Sequence, residues 1–189
     1  MRKGFALFVA LVTLLTPLAI HAGDAMPQTR QEVIQLEGMD ETITTTYIES
    51  LKGYSLWIDT DCLVLQPEDE GGGMDVYASP HSSAEFNCEL VIYQSGLYDY
   101  SFGQAIEDTR QVLMENYGNA DLLENVDIFT GLNASGFYSI AGDNTIIYYL
   151  VETETEVFHL VITCPHEAVE GFASRVIWML RSFEVHGER

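Results

Sequence analysis

Three consecutive stretches between residues 136 and 163 constrain the fold more than any other part of the chain. They read as strands at 136–141, 145–151 and 156–163, joined by turns at Gly142-Asp143-Asn144 and Glu152-Thr153-Glu154. Ile, Val, Tyr and Phe dominate them, the residues that suit a pleated, packed surface. Simple apolar/polar alternation is missing. In 145–151 one face carries Ile146, Tyr148 and Leu150, and the other carries Ile147, Tyr149 and Val151. A strand that is apolar on both faces needs cover on both. The expected fold is therefore α+β, a central antiparallel sheet flanked by helices on both faces.

Two helices are predicted to supply that cover. Over 101–117, Phe102, Ala105, Ile106, Val112, Leu113 and Tyr117 recur at helical spacing. Ser101 with Gln104 forms a capping box, and Gly118 is placed to end the helix. A last helix is expected over about 165–182, with Pro165 in its first turn and Val169, Phe172, Val176, Met179 and Leu180 on its buried side. Phe183 then anchors a closing segment, 183–185. Further strands are predicted at 42–49, 53–58, 74–78, 88–94 and 124–130. Between them, 37–41 reads as a turn and 60–73 as a loop, in which residues 62–65 tuck under the sheet edge while the second half stays exposed.

The N-terminus reads differently from the rest. Arg2 and Lys3 precede an apolar run, 5–15, broken only by Thr13, and Ile20-His21-Ala22 is a plausible cleavage site. This is the layout of a secretory signal peptide. As a membrane anchor the run falls short of the roughly 20 residues a spanning helix needs. The expectation is export to a periplasmic or extracellular location, with cleavage near Ala22. Residues 23–36 then read as a flexible leader, in which 32–35 is either a short strand or loosely packed, and 37–189 as one domain of a size that supports its own core. No later stretch is long and apolar enough to span a membrane.

The two cations of the signal leave with it. The 8 Lys+Arg of the full chain fall to 6, against 29 Asp+Glu, giving a formal −23. Such a chain repels nucleic acid and anionic membrane surfaces and attracts cations or basic partners. Export also makes a disulfide possible. Three cysteines follow Ala22: Cys62 just past one predicted strand, Cys88 opening another and Cys164 closing a third. An odd number allows at most one pair within a monomer. Which pair, if any, is open, since all three also suit small buried positions.

The order of these elements resembles a known family. A Gly53-Tyr54-Ser55-Leu56 strand is preceded by Glu37-Gly38-Met39-Asp40-Glu41. The 88–94 strand runs into the helix opening at Ser101-Phe102. A three-strand meander begins at Gly136-Phe137-Tyr138, and the last helix closes on Arg181-Ser182-Phe183. This pattern is similar to the PsbP-like domain, an α/β/α sandwich, and most of all to its small exported bacterial members. The resemblance covers roughly residues 37–185. It implies binding or accessory work without catalysis: members include an extrinsic subunit of the photosynthetic oxygen-evolving complex and a Ran-binding protein. After the Gly-Tyr-Ser strand this chain has Ile58-Asp59-Thr60-Asp61-Cys62 where the family often has a Tyr-Pro-x-x-Trp-like run, so no function tied to that loop carries over.

Familiar catalytic equipment is missing. No Gly-x-Ser-x-Gly elbow, Cys-x-x-Cys or His-Glu-x-x-His occurs. Of the histidines after Ala22, His81, His159, His166 and His186, His159 lies mid-strand among apolar neighbours and reads as structural. Cys164-Pro165-His166-Glu167 places a thiol, an imidazole and a carboxylate at a helix start, which keeps a thiol-based enzyme or redox role through Cys164 as one alternative. A second is a calcium-dependent binding module. Asp59, Asp61, Asp69, Glu70 and Asp75 cluster around one loop with Glu68, and calcium takes several converging oxygens. The EF-hand order is absent, and Gly71-Gly72-Gly73 precedes a strand with no Lys, which argues against a phosphate cradle. The favoured expectation is a monomeric, cofactor-free, non-catalytic domain whose partner is a protein or small ligand. Its first place to look for contact is 95–101, with Leu97, Tyr98 and Tyr100. If the signal reading holds, protein recovered from the envelope or medium of its own cells begins at Gly23, which intact-mass spectrometry reads directly; a mass retaining residues 1–22 would refute it.

Overall fold

The structure, a computed structural model, describes residues 27–36, 38–67, 72–83, 87–97, 100–123 and 126–186. The expected signal segment, and Asp69 and Glu70 of the acidic loop, lie outside the described residues. The meander is present as expected. Strands β8 (Asn133–Ala141), β9 (Asn144–Glu152) and β10 (Glu156–Pro165) pair antiparallel in sequence. Gly142 takes φ +62 in the first tight turn, a backbone region that favours glycine. The second turn is closed by Thr153, whose backbone N–H and hydroxyl both donate to the Glu156 carbonyl.

The remaining strands are β1 (Thr29–Leu36), β2 (Met39–Ser50), β3 (Tyr54–Asp59), β4 (Val64–Leu65), β5 (Met74–Ala78), β6 (Glu89–Gly96), β7 (Asp121–Leu122) and β11 (Glu184–Val185). They build two antiparallel sheets rather than the expected single central one. A four-stranded sheet has the order β1-β2-β3-β11, and a seven-stranded sheet the order β4-β5-β6-β10-β9-β8-β7. The reason lies in β3. Its Tyr54, Leu56 and Ile58 are fully buried against Leu90, Ile92, Phe158, Leu160 and Ile162 of the large sheet, so β3 stacks on that sheet instead of extending it.

Helix α1 (Phe102–Tyr117) carries the expected capping box: Ser101 Oγ accepts from the Gln104 N–H, and Gln104 Oε1 accepts from the Ser101 N–H. Gly118 ends it in the left-handed conformation. Phe102, Ala105 and Leu113 pack with Ile146 and Leu150 of β9, Phe137 of β8 and Val157 of β10. The other face of β9, Ile147, Tyr149 and Val151, belongs to the core shared with β3 and with Ala173, Val176, Met179 and Leu180. The two-sided apolar character of 145–151 is thereby used on both sides.

Several boundaries differ from expectation. Residues 29–36, expected in the flexible leader, form β1, which pairs with β2 from Thr29↔Thr46 to Leu36↔Met39 and buries Ile34 and Ile43 at the junction. Pairing satisfies the backbone of a polar segment that has little apolar surface to announce it. The expected strand over 124–130 is absent from its described part. Residues 126–130 are turns and irregular chain that drop Phe129 into the core, and the strand at this sheet edge is β7 instead. Pro165 ends β10 rather than opening a helix. The helical region after it is divided into a 3-10 turn (His166–Ala168), a π turn (Val169–Ala173) and a short α2 (Ser174–Leu180). Gly171 inside the π turn and the Ser174 hydroxyl donating to the Val169 carbonyl weaken a regular i→i−4 ladder there. Of residues 62–65, Leu63 is buried as expected, whereas Val64 and Leu65 are exposed on the short edge strand β4.

Gly136 shows how tightly the edge of the large sheet is closed. A Cβ there would lie 2.9 Å from Leu123 Cδ1, 3.0 Å from Tyr149 Cδ1 and 3.0 Å from Val126 Cγ1. Gly136→Ala is expected to cost about 1–3 kcal/mol by overpacking, and Ser101→Ala about 1 kcal/mol by loss of the cap. Urea denaturation midpoints at unchanged m-value check both; a neutral Gly136→Ala would show that Leu123, Val126 and Tyr149 yield freely.

Candidate functional site

Four polar side chains converge beneath α1 on the face of the large sheet opposite β3. Tyr93 and Ser95 stand two residues apart on β6, and so share a face. In the β6–β10 register Tyr93 lies opposite His159 and Ser95 opposite Val157. On the other flank of β10, Tyr148 of β9 lies opposite Val161, two residues from His159. Strand geometry alone brings these groups together.

Their hydrogen bonds form one chain. His159 Nε2 is 2.7 Å from Ser95 Oγ, and Nδ1 is 2.8 Å from the Tyr148 hydroxyl, which is 2.5 Å from the Tyr93 hydroxyl. Thr109 of α1 lines the same space as Tyr148. The Tyr93 ring stacks flat on the imidazole, 4.5 Å between centroids at 1° between planes, and the Tyr148 ring meets it edge-on at 5.9 Å and 88°. Burial pushes the His159 pKa down to about 4 and the Tyr148 phenol well above its ordinary value. At neutral pH the group is therefore an uncharged network of hydroxyls around a neutral ring, with one ring nitrogen donating and the other accepting.

The network forms the floor of a cavity of about 370 Å³ under α1. Ala105, Val112 and Leu113 make its apolar wall, and Tyr100 and Asp108, hydrogen-bonded to each other, stand at its rim. Among the described residues lining it, none is Lys or Arg. Chemically the floor contains a Ser–His pair of the kind used for acyl transfer, but its third member is a phenol, where triads place a carboxylate. A neutral phenol does not stabilise an imidazolium by charge, and a ring held near pKa 4 is a weak base. What the site offers is a shaped recess with aromatic faces, hydroxyl donors and acceptors, and an acidic lip.

The positions singled out in the sequence are distributed elsewhere. Asp59 pairs with Arg175 at 2.6 Å, and Arg175 also holds Glu41. Asp75 accepts from Lys52 Nζ at 2.6 Å, Ser50 Oγ at 2.6 Å and the Tyr54 hydroxyl at 2.5 Å. Burial pushes the Asp75 carboxyl up, but these bonds outweigh it and hold its pKa below the ordinary value. Asp59 and Asp75 thus serve separate ion pairs in different sheets, while Asp61 donates its backbone N–H to the Asp59 carboxylate. Among the described residues no group of three or more His, Cys, Asp or Glu is placed to hold a metal ion. Cys164 is fully buried with its thiol pushed up to about 11, and the neighbouring His166 ring pairs with Thr145 Oγ1 at 3.1 Å rather than activating it.

Two sequence readings meet at the cavity. Ser95, Gly96 and Tyr100 of the segment 95–101 line it, although Tyr98 is outside the described residues. His159 has both ring nitrogens satisfied, as a structural histidine should, and it also borders the recess. The signal that went unused was parity: odd-numbered Tyr93, Ser95 and His159 fall on one face once the β6–β10 register is known.

No family model matches the chain, and no curated relative matches it. A solved structure does. The solution structure of cyanobacterial PsbP (CyanoP) from Synechocystis sp. PCC 6803 superposes with TM-score 0.51 and 10% sequence identity, covering 90% of this chain and 100% of that one. The fold is PsbP-like. At such identity the PsbP-like match fixes architecture and leaves side-chain chemistry to be read from this chain alone. Among the described residues, no helix is long and apolar enough to cross a membrane.

The His159 environment has a pH signature. Its pKa is about 4 in the fold against 6.5 ordinarily, so the unfolded chain binds more protons between those values. The stability this represents is present above about 6.5 and is lost as pH falls towards about 4. The Asp75 contribution is lost only below its ordinary 3.8. Urea titrations of wild type and His159→Gln should show a slope over pH 4–6.5 that the variant lacks; identical slopes would place the proton uptake elsewhere.

Proposed function

We propose that this protein is an exported, non-catalytic accessory domain that engages a basic partner through the recess beneath α1, receiving a lysine or arginine side chain there. The observation that carries this reading is the make-up of the recess: the rings of Tyr93, Tyr100 and Tyr148 with the Asp108 carboxylate, and no cation among the described lining residues. Aromatic faces attract ammonium and guanidinium groups by roughly 0.5–2 kcal/mol, and a carboxylate at the rim adds a charge partner. The formal charge of −21 on the whole chain, and a larger negative value once Arg2 and Lys3 are removed, steers basic partners to the surface before docking. The PsbP-like fold supports the accessory role, because the family's theme is binding. Export rests on the 1–22 signal pattern. α1 covers one face of the large sheet while β3 and the C-terminal helical region pack on the other, which leaves the α1 side to carry the recess.

Calorimetry with a lysine-rich peptide and with its fully acetylated counterpart tests the reading. The expected result is binding of the first only, weakened by salt and weakened several-fold in Asp108→Asn and in Tyr100→Ala. Equal affinity for both peptides, or indifference to both substitutions, would overturn it. Robust hydrolase turnover abolished by Ser95→Ala would overturn the non-catalytic part and assign the Ser95–His159 pair to chemistry.

A further inference from the structure

The strand register carries an inference about the three cysteines that is independent of the recess. The β6–β10 ladder runs from Gly96↔Glu156 to Glu89↔Thr163. One step further along both chains, the residues that face each other are Cys88 and Cys164. They also share a face. Cys88 belongs with Leu90 and Ile92, and Cys164 with Leu160 and Ile162, in one core cluster. All three cysteines are free in this structure.

We propose that Cys88 and Cys164 are joined by a cross-strand disulfide when the chain folds under oxidising conditions, leaving Cys62 as the unpaired thiol. Directly opposed residues of an antiparallel pair have Cα atoms about 4.5–5.5 Å apart, inside the range of about 4.4–6.8 Å that a disulfide spans. The backbone at Cys88 is already fixed in place. Its N–H donates to Ser82 Oγ at 3.0 Å, and its carbonyl accepts from Ser82 Oγ at 3.1 Å and from the Ser79 N–H at 2.8 Å. Cys164 is held from its other side by pairing with Thr145. Cys62 also packs against this cluster, but it follows the end of β3 in the small sheet and has no cross-strand partner position.

The chemistry is thiol–disulfide exchange with a small-molecule disulfide such as oxidised glutathione. One cysteine thiolate attacks the oxidant, forming a mixed disulfide and releasing one glutathione thiolate. The second cysteine thiolate then displaces the other glutathione and closes the Sγ–Sγ bond. The two protein thiols lose two electrons and two protons, and the oxidant is reduced to two thiols. Both cysteines are buried in the finished fold, Cys88 at 2% and Cys164 at 0% exposure, so exchange takes place before the core closes. The cross-link then restricts the unfolded chain over the long loop between the two positions.

The test refolds the 23–189 chain from denaturant with oxidised and reduced glutathione, then denatures it in iodoacetamide without reductant. One carbamidomethyl group is expected, on Cys62, with a peptide pair linked through Cys88 and Cys164 in the digest. Cys62→Ser should take up no label and melt at a higher temperature oxidised than reduced. Three labelled thiols, a link involving Cys62, or glutathione retained on Cys88 or Cys164 would each overturn the pairing. A Cys62→Ser protein that folds but stays fully reduced would do so as well.

Discussion

Strand β9 needs apolar cover on both faces, and everything around it is arranged to provide that cover. Ile146 and Leu150 take theirs from α1, and Ile147, Tyr149 and Val151 take theirs from the core built with β3 and the C-terminal helical region. β10 beside it repeats the division, with Val157 on the α1 side and Phe158, Leu160 and Ile162 on the other. A one-residue slip between these strands would exchange the two sets, placing Tyr149 under α1 and Leu150 against β3. Register here is fixed by packing on two sides at once, as well as by the Gly142 turn.

The two faces are treated differently. On the β3 side Tyr54, Phe158 and Phe183 pack ring against ring, with centroids 5.5–6.0 Å apart, and the polar groups gather at Asp75, where the Tyr54 hydroxyl ends. The α1 side mixes apolar contact with a hydroxyl–imidazole chain. Burying so many polar atoms is tolerable because each finds its partner within the chain: Ser95 with His159, His159 with Tyr148, and Tyr148 with Tyr93. Such a network fixes the floor, and α1, anchored by Phe102, Ala105 and Leu113, forms the wall of the recess.

Much of the architecture was legible in the sequence because it is local. The capping box at Ser101 and Gln104, the Gly118 stop and the meander strands all declare themselves within a few residues. What was not legible depends on partners distant in the chain. β1 looks like a polar leader until β2 is beside it. The second sheet closes only when Glu184 meets Ser55 across nearly the whole domain. Val126, Ile128 and Phe129 look like a strand in isolation, yet their apolar side chains fill space under the sheet from turns. The recess was half legible: residues 95–101 were marked by their tyrosines, while His159, 64 positions from Ser95 in sequence, joins only through the register.

The acidic residues show how differently neighbours in sequence can be placed in the fold. The Asp59–Asp75 region reads as a cation site because its carboxylates are close in sequence. In the fold those two carboxylates tie separate joints. Asp75 on β5 reaches Ser50, Lys52 and Tyr54, and so connects the large sheet to the β2–β3 side of the small one. Arg175 on α2 reaches Asp59 on β3 and Glu41 on β2, connecting the last helix to the same small sheet. Buried ion pairs add little net stability compared with apolar packing, but removing one partner strands the other charge. Their value lies in orientation: apolar surfaces alone would let the two sheets slide across one another, whereas these directional bonds hold one arrangement. The carboxylate left at the lip of a recess is Asp108, which came from a helix face that the sequence pattern marks simply as solvated. Among the described carboxylates, Asp59 and Asp75 are tied into such joints, whereas Asp108 stands exposed beside aromatic rings at an opening.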